Sequence, residues 1–562
     1  MVQQVLQVVY KEVRSMHQAA YILAIFTFGS QLLALIRDRL LAGQFGAGAE
    51  LDLYYAAFRI PDFLYVFFAS TLSVYVLIPF ISRRLEEKSF ASARSLLSQI
   101  FSLFLIGYMS IALIAMFFAP QIVQYFFPGF ITESDTLVTL IRILLLQPLL
   151  LGVSSLFGVI VQMQYRFVLY AISPLIYNVG IIGGLIFFYP VFGVSGLAMG
   201  VVLGALGHVC IQIPFIFKNQ LAPRFVLTYN FSDIFEICRT SITRVFTLSL
   251  HQIVLLGLIG FASTMAVGSV SVFQFAFNLQ SVPLAIIGVS YSVAAFPLLA
   301  QLYVEKKFDL FGRNILNTLR HILFWSIPTI ALFVVVRAQF VRVVLGSGAF
   351  DWNDTRLTAA ILALFILSLT AQAVHLLLVR ALYAVGNTRI PFYATVFSAT
   401  ATLFLAYFFY TLLSAHDRFY SFMQTLMRLE GVDNIEVLAL PLGYSFALIM
   451  HSVIILVWSR NYVHVSLRTL YKPLLQSTCA ALFGGYIAYT ILNYFAISFS
   501  PNTLISIFAQ GFFASVGGCI GYILLQHLFK SKELHEVYQT LGRRFTKEVV
   551  VVVPQDEDTL AV

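Results

Sequence analysis

Five charged side chains lie within two apolar segments near the start of the chain, in the stretch LIRDRLLAGQFGAGAELDLYYAAFRIPD at 35–62. They are Arg37, Asp38, Arg39, Arg59 and Asp62. Ionisable residues inside a membrane helix are costly, so they usually pair with one another or face a water-filled space. Guanidinium groups bind phosphate and carboxylate oxygens through two parallel hydrogen bonds. The stretch therefore predicts a site for an anionic ligand group; the alternative is that the charges only pair and hold two helices together.

Composition assigns these segments to a membrane. The 562-residue chain is 60% hydrophobic and only 10% charged, whereas soluble domains carry about 25% charged residues. Apolar runs of about 20 residues, the length needed to cross the hydrocarbon core, recur along the chain. We therefore predict an all-α polytopic membrane protein with fourteen transmembrane helices. Their predicted bounds are 19–42, 52–81, 97–119, 137–162, 170–190, 193–217, 241–263, 268–302, 318–338, 356–381, 391–414, 437–459, 471–494 and 503–529.

Comparison of the sequence with itself indicates that one arrangement of helices occurs twice. The segment AAFRIPDFLYVFFASTLSVYVLIPFISRRLEEKSF resembles FAFNLQSVPLAIIGVSYSVAAFPLLAQLYVEKKF, which lies roughly 220 residues later in the chain. Since internal repeats build many transporters, we predict two six-helix lobes followed by two further helices. The predicted divisions are an amphipathic N-terminus (1–18), an N-lobe (19–217), a linker (218–240), a C-lobe (241–459) with an insertion at 414–437, a final helix pair (471–529) and a tail (530–562).

The positions of lysine and arginine predict the orientation. Loops such as SRRLEEKS and VEKKFDLFGRN carry them, whereas the connections GQFGAGAE, PGFITESDT and MAVGS carry none. Short loops rich in lysine and arginine usually stay in the cytoplasm. We therefore expect both termini, the linker and the tail in the cytoplasm, with the insertion outside. The formal charge of +9 belongs to these loops and does not indicate binding of nucleic acid.

Helical geometry separates the charges of the first helix. Successive residues are about 100° apart, so Arg37 and Arg39 point about 200° apart. Arg37 shares a stripe with Ser30 and is predicted to face the interior, whereas Arg39 could reach the membrane interface. Asp38 could pair with either arginine. In the second helix, Pro61 removes a backbone hydrogen bond and should bend the chain there.

Motifs of enzymes and of ATP hydrolysis are missing from the sequence. It contains no GxxxxGK[ST] loop and no HExxH pair. The four cysteines form no CxxC pair, and we interpret His208 and His251 as packing residues. We therefore predict a transporter and not an enzyme, with no metal site and no cofactor.

The opening stretch resembles the N-terminal signature of the lipid II flippases, the MurJ (MviN) family of the MOP exporter superfamily. The shared pattern is the Arg37–Asp38 pair, FGAG at 45–48, Asp52, and AFRIPDFL at 57–64. Weaker similarities follow in FFPGF (126–130), SPLIYNVGIIGG (173–184), AFPLL (295–299), VRVVLGSGAFD (341–351) and ALYAVGNTRIPF (381–392). The resemblance covers nearly the whole chain.

This resemblance implies two lobes around a cationic cavity that opens alternately to the two sides of the bacterial plasma membrane. The implied substrate is undecaprenyl-pyrophosphate-linked disaccharide-pentapeptide, lipid II, moved from the inner to the outer leaflet for peptidoglycan assembly. Also implied are a groove for the lipid tail at the last two helices, contacts with membrane lipids and cell-wall synthesis machinery, and coupling to the membrane potential or an ion gradient. The alternative is a related exporter of another polyprenyl-linked saccharide or a small amphiphile.

The resemblance also assigns roles to single residues. Arg37 would bind the pyrophosphate or the peptide carboxylates. Asp38 and Asp52 would hold or gate the substrate, and Arg59 would add positive charge to the cavity. The predicted substrate-binding residues are Arg37, Asp38, Asp52, Arg59 and Asn278, with Arg39 and Gln31 as further candidates at the cavity or interface and Pro61, Gly46 and Gly48 as hinges.

The chain departs from the family pattern at several positions where relatives carry basic residues. These positions are Gln31, Tyr65, Val66 and Asn278. The predicted seventh helix also lacks the carboxylate or amide that contributes to a sodium site in some relatives. Arg39 is the candidate replacement for a missing cation.

Overall fold

The computed structural model describes residue 12 and residues 16–69, 74–87, 89–218, 221–463, 467–498 and 503–545. These residues form α-helices joined by turns, with short 3-10 and π segments, and the described ranges contain no strand. The predicted all-α fold class is thereby confirmed. Most of the predicted N-terminal segment (1–18) and residues 546–562 of the predicted tail lie outside the described residues.

Helices occur at every predicted membrane segment, and we number them α1 to α14. In the N-lobe, α1 is Met16–Phe45, α2 has the three parts Ala49–Ala57 (α2a), Arg59–Ala69 (α2b) and Val74–Glu87 (α2c), α3 is Phe90–Phe117, α4 is Ser134–Met163, α5 is Phe167–Phe192 and α6 is Val194–Lys218. In the C-lobe, α7 is Phe231–Ser263, α8 is Ser269–Val304, α9 is Phe308–Leu345, α10 is Trp352–Ile366 with Leu369–Ala384, α11 is Arg389–Ala415 and α12 is Ala439–Val463. The last three helices are Tyr471–Ser498 (α13), Leu504–Leu528 (α14) and Lys532–Phe545 (α15).

Twelve helices of the described residues are long and apolar enough to cross a membrane. The two halves of α10 meet at 43° and add a thirteenth span if they are counted together. Helix α2 is divided instead, because it breaks at Phe58 and its described residues stop at Ala69 and resume at Val74. The exact number of fourteen spans therefore stays a prediction.

Several segments that were predicted as connections are helical. Helix α7 begins at Phe231, inside the predicted linker, because the Asn230 side chain caps the Ser232 backbone N–H and Asp233 lies in the first turn. The insertion at 414–437 contains the helix Asp417–Met427, and the predicted tail contains α15. The helix limits predicted from the sequence depend on runs of apolar residues, and charged residues at these helix ends interrupt such runs.

Helices α5 and α6 pack backbone against backbone. A methyl group on Gly180 would lie 2.2 Å from the Cα of Gly204, and one on Gly184 would lie 2.4 Å from the Cα of Gly200. Small residues permit this close approach between membrane helices. The contact fixes α5, which presents Asn178 towards α1.

The two lobes are joined closely at the end of the bundle where α1 ends and α2 begins, which we call the FGAG end (residues 43–52 and their partners). The backbone N–H of Ala349 donates to Gly43 O at 2.8 Å. Gly268 adopts a left-handed φ of +92°, and a Cβ there would lie 2.3 Å from Ala47 O. Backbone therefore meets backbone at these two places, where a side chain in place of the glycine would not fit.

At the opposite end, which we call the basic end, α2c contacts the start of α7. Arg84 forms an ion pair with Asp233, and Arg83 lies 3.3 Å from Glu236. The Arg83 pair is exposed, so it contributes little to stability. The lobes are therefore held here by side chains rather than by backbone contact.

Candidate functional site

A polar cluster begins on α1 with Arg37. Its Nε and Nη2 donate to Asp38 Oδ1 at 3.0 and 2.8 Å, and its Nη1 donates to Asn178 Oδ1 at 3.1 Å. Asn178 in turn donates to Ser30 Oγ at 3.3 Å, so the stripe of Ser30 and Arg37 faces α5. The Arg37 side chain remains 20% exposed to the space between the lobes. Asp38 is thus the partner of Arg37, and two guanidinium N–H groups of Arg37 remain for a ligand.

Amide side chains carry this cluster across to the C-lobe. Asn278 of α8 donates to Asp38 Oδ2 at 3.0 Å and accepts from Gln274 Nε2 at 2.7 Å. Gln274 Oε1 then accepts from Arg59 Nη2 at 2.8 Å. Each amide both donates and accepts, so the relay connects a carboxylate at one end with a guanidinium at the other. An arginine at 278 has no acceptor atom and could not take this place.

Arg59 forms the other end of the relay. It is the first residue of α2b, is 6% exposed, and also donates from Nε to Tyr55 O at 3.3 Å. The chain breaks one residue earlier, at Phe58, because Pro61 has no N–H to bond to Ala57 O. Arg59 lies about 15 Å and Arg37 about 12 Å from the FGAG end, by the rise of their helices. The two guanidinium groups therefore lie near the middle of the bilayer.

The charges of this cluster balance. The Asp62 side chain is partly exposed and makes no hydrogen bond with any described residue, but the charge of Arg59 acts on it. With both carboxylates ionised, Arg37 and Arg59 are matched by Asp38 and Asp62. Arg39, the third arginine of the opening stretch, would add an uncompensated positive charge, but it lies elsewhere.

Arg39 caps the end of α9. Its Nη1 donates to Val343 O at 2.6 Å and to Val344 O at 3.3 Å, and its Nη2 donates to Gly346 O at 3.4 Å. These carbonyls have no partner within the helix, and a cation there also complements the helix dipole. A helical wheel gives a direction and not the neighbouring lobe, so it could not name α9 as the partner of Arg39. That Arg39 lies at the cavity or the interface stays a prediction. Gln31 is exposed, and its side chain forms no hydrogen bond with the described residues.

Asp52 lies outside the central cluster and joins the two lobes at the FGAG end. Its carboxylate accepts from the backbone N–H of Gly268 and Ser271, both at 2.7 Å, and from Ser271 Oγ at 2.5 Å. It is 2% exposed. Residues 268–271 form the N-terminus of α8, so a residue of the N-lobe caps a helix of the C-lobe. The geometry suits a gate and not a direct contact with substrate.

A second capping contact accompanies the first. Asp354 Oδ2 accepts from the backbone N–H of Ala47 at 3.1 Å, and Asp351 and Asp354 form a capping box at the start of α10. The sequence FDWND carries this capping pattern before an apolar run, which could have revealed it. Of the predicted hinges, Gly46 has a φ of +60° that favours glycine. Gly48 has an ordinary φ of −118° and precedes α2a.

An apolar groove of 460 Å³ lies between α9 and α13. Its walls are formed by two helix faces that pack at the edge of the C-lobe, and they include Ile330, Val334, Ala481, Leu482 and Tyr486. Elsewhere, the described residues contain no group of three or more His, Cys, Asp or Glu side chains placed to hold a metal ion.

Solved structures with the same fold define the class. The chain matches a lipid II flippase MurJ in an inward closed conformation with a TM-score of 0.72 and 21% identity, over 91% of this chain and 98% of that one. It also matches an inward-facing multidrug resistance MATE family transporter of the MOP superfamily, with a TM-score of 0.63 and 14% identity over 77% of this chain and 94% of that one. The chain therefore has the fold that these two proteins share.

The family follows from the sequence match. A family model described as lipid II flippase MurJ matches residues 41–510, so the chain belongs to that family. A probable lipid II flippase MurJ of Buchnera aphidicola subsp. Acyrthosiphon pisum is 28% identical over 386 residues, covering 67% of this chain and 74% of that protein. One of Thermotoga maritima is 27% identical over 387 residues, covering 67% and 76%.

Proposed function

We propose that this protein translocates lipid II, the lipid-linked peptidoglycan precursor, from the inner to the outer leaflet of the bacterial plasma membrane by alternating access. Membership of the flippase family supports the class of substrate. The observation that carries the proposal is the central cluster, in which Arg37 and Arg59 lie at mid-bilayer depth and join the two lobes through two amides.

The pyrophosphate would bind by exchange of hydrogen bonds. Arg37 uses three of its five N–H groups and Arg59 uses two, so both keep donors for phosphate oxygens. An anion between them would compete with Asp38 and Gln274 for the guanidinium groups. Loss of the Arg59–Gln274 hydrogen bond would then loosen α2b from α8. Substrate binding would in this way weaken a contact that holds the lobes together.

The FGAG end would be the outer gate. It is closed here by Asp52, by Asp354 and by the backbone contact between Gly43 and Ala349. Opening to the outer leaflet requires Asp52 to leave the N-terminus of α8. The basic end would face the cytoplasm together with both termini, following the distribution of lysine and arginine.

The undecaprenyl tail would lie outside the lobes. The groove between α9 and α13 is apolar and open along its length, as a chain that remains in the lipid requires. The headgroup would then cross between the lobes while the tail stays in the bilayer. The driving force would be the membrane potential or an ion gradient, and cell-wall synthesis enzymes on the outer side would take the product.

The test is a leaflet-resolved assay of lipid II in cells depleted of the protein and carrying no redundant flippase. Depletion should retain lipid II in the inner leaflet and cause lysis. Arg37→Ala should reach normal abundance without restoring translocation, whereas Arg39→Ala should restore translocation in proportion to its abundance. Normal exposure of lipid II during depletion would reject lipid II as the substrate and favour another polyprenyl-linked saccharide or a small amphiphile.

A further inference from the structure

Two histidines meet inside the C-lobe. His375 of α10 and His451 of α12 have ring centroids 4.2 Å apart, with the ring planes tilted by 50°. His451 is 3% exposed, and neither of its ring nitrogens has a hydrogen-bond partner. The Nδ1 atom of His375 is also without one. Three ring nitrogens at one buried place thus lack the partners that buried polar groups normally have.

A histidine of the N-lobe provides the contrast. His208 is also within a membrane helix, but its Nδ1 lies 2.6 Å from Ser154 Oγ, which Gln212 bonds in turn. His208, whose role is structural, therefore has a hydrogen-bond partner. The histidine pair in the C-lobe has ring nitrogens without hydrogen-bond partners.

A third histidine interacts electrostatically with the pair. His251 of α7 is exposed, and Arg59 acts on it electrostatically from α2b. His251 acts in the same way on His375, and His375 acts on His451. These rings and Arg59 are the charged or titratable groups that act on the three histidines from the described parts of the packed helices.

Two of the three histidines, His251 and His451, lie at similar depth. His251 is twelve residues before the end of α7 at Ser263, and His451 is twelve residues after the start of α12 at Ala439. Both therefore lie about 18 Å from the FGAG end of the bundle. His375 is partly buried, so its exposure is lower than that of His251 and higher than that of His451. The set runs from the lobe surface to the lobe interior near the middle of the bilayer.

We propose that the His375–His451 pair binds one proton that enters from the interlobe space through His251. Water between the lobes would protonate a ring nitrogen of His251. The proton would pass to His375, forming one N–H bond and breaking another, and leave His251 neutral. It would finally be shared between His375 and His451, where the imidazolium N–H donates to the neutral ring. The ring centroids are 4.2 Å apart, and sharing of the proton would require a ring rotation that places two nitrogens roughly 3 Å apart, the length of a hydrogen bond.

The pair holds one proton and not two. Two imidazolium ions at this separation would repel each other in a medium of low dielectric. Each neutral imidazole already has one N–H donor, and a shared proton makes the hydrogen bond between the two rings charge-assisted and stronger. The ligand of this site is therefore a single proton, released when the lobes open to the other side.

The proton and the substrate would support each other, a step that rests on the proposed function. The central cluster is charge-balanced, so a proton on His251 adds positive charge beside Arg59. An anionic pyrophosphate in the same space favours that charge, and by reciprocity the proton favours the anion. Transport of lipid II would then respond to a pH gradient.

Proton binding can be measured without lipid II. The full-length protein in nanodiscs, with isotope-labelled histidine side chains, is titrated by NMR across the pH range in which it stays folded. The wild type should show one proton shared between two imidazoles. His375→Gln and His451→Gln should each lose that signal, and His208→Gln should keep it. Two rings that stay neutral throughout would overturn the proposal, and this result needs no variant to fold.

The coupling is measured in proteoliposomes with lipid II and an imposed pH gradient. Stimulation by the gradient should be present in the wild type and in His208→Gln and lost in His451→Gln. If translocation proceeds at the same rate with and without the pH gradient, the proposed coupling is wrong, while the flippase function is unaffected. A shared proton in a protein that does not move lipid II would leave the proton site in place and reject the proposed function.

Discussion

Replacement of Asp52 by asparagine should open the FGAG end. The carboxylate accepts three hydrogen bonds from Gly268 and Ser271, whereas an amide keeps one acceptor oxygen. The Gly268 bond to Oδ2 is lost, and the two Ser271 bonds to Oδ1 are weakened because the acceptor is no longer charged. At about 1.5 kcal/mol for the lost bond and about 0.8 kcal/mol for each weakened bond, the total is about 3 kcal/mol. Since 1.4 kcal/mol is about tenfold, the ratio of closed to open FGAG ends should fall roughly 100-fold.

The change is measured as a distance between spin labels across the gate. Labels attached to Ala49→Cys and Trp352→Cys report on the two lobes, since both positions are exposed at the FGAG end. The native cysteines are replaced first. Asp52→Asn should add a population of longer distances, and translocation should fall because the gate no longer closes during the cycle.

Asp135→Asn is the matched control. Asp135 is also an acidic residue in the first turn of a helix at the FGAG end, but its side chain is exposed and bonds no described residue. It should leave the distances unchanged. If Asp52→Asn gave the wild-type distribution and normal translocation, the capping contact between the lobes would not be the gate.

Three further predictions concern other contacts. Asn278→Arg should lower translocation more than Asn278→Gln, because the guanidinium cannot accept from Gln274; equal rates in proteoliposomes would contradict the relay. Arg39→Ala should lower the melting temperature by uncapping α9 without changing lipid II affinity, which thermal unfolding and binding assays separate. Burial of Glu533 opposes its ionisation, but hydrogen bonds and the charge of Arg320 outweigh this and lower its pKa. Docking of α15 should therefore be complete above the ordinary pKa of glutamate and lost as pH falls through the lowered value, seen as faster hydrogen exchange in 532–545.

The sequence predicted the helices well because apolar runs of membrane length are a strong signal. It also anticipated a bend near Pro61, although the break occurs at Phe58, before the proline. The start of α7 was placed too late because Asp233 and Glu236 in its first turns read as a polar connection. Capping by Asn230 offsets the missing apolar signal there.

The candidate site could be predicted from the sequence less completely than the helices. A helical wheel placed Arg37 correctly on the stripe of Ser30, but it could not name α9 as the partner of Arg39. Gln274 and Asn178 were missed because a single amide in an apolar segment carries no distinctive spacing. Their role depends on helices distant in the chain. Only the tertiary arrangement shows that Gln274 and Asn278 connect Arg59 of α2b with Asp38, the partner of Arg37.

The balanced charges of the central cluster have an electrical consequence. Moving one elementary charge through the membrane voltage involves work of about 2.3 kcal/mol per 100 mV. Arg37 and Arg59, matched by Asp38 and Asp62, present almost no net charge to that field. The empty carrier would therefore return to its starting orientation at a rate indifferent to voltage, and the potential would act only on what the carrier has bound.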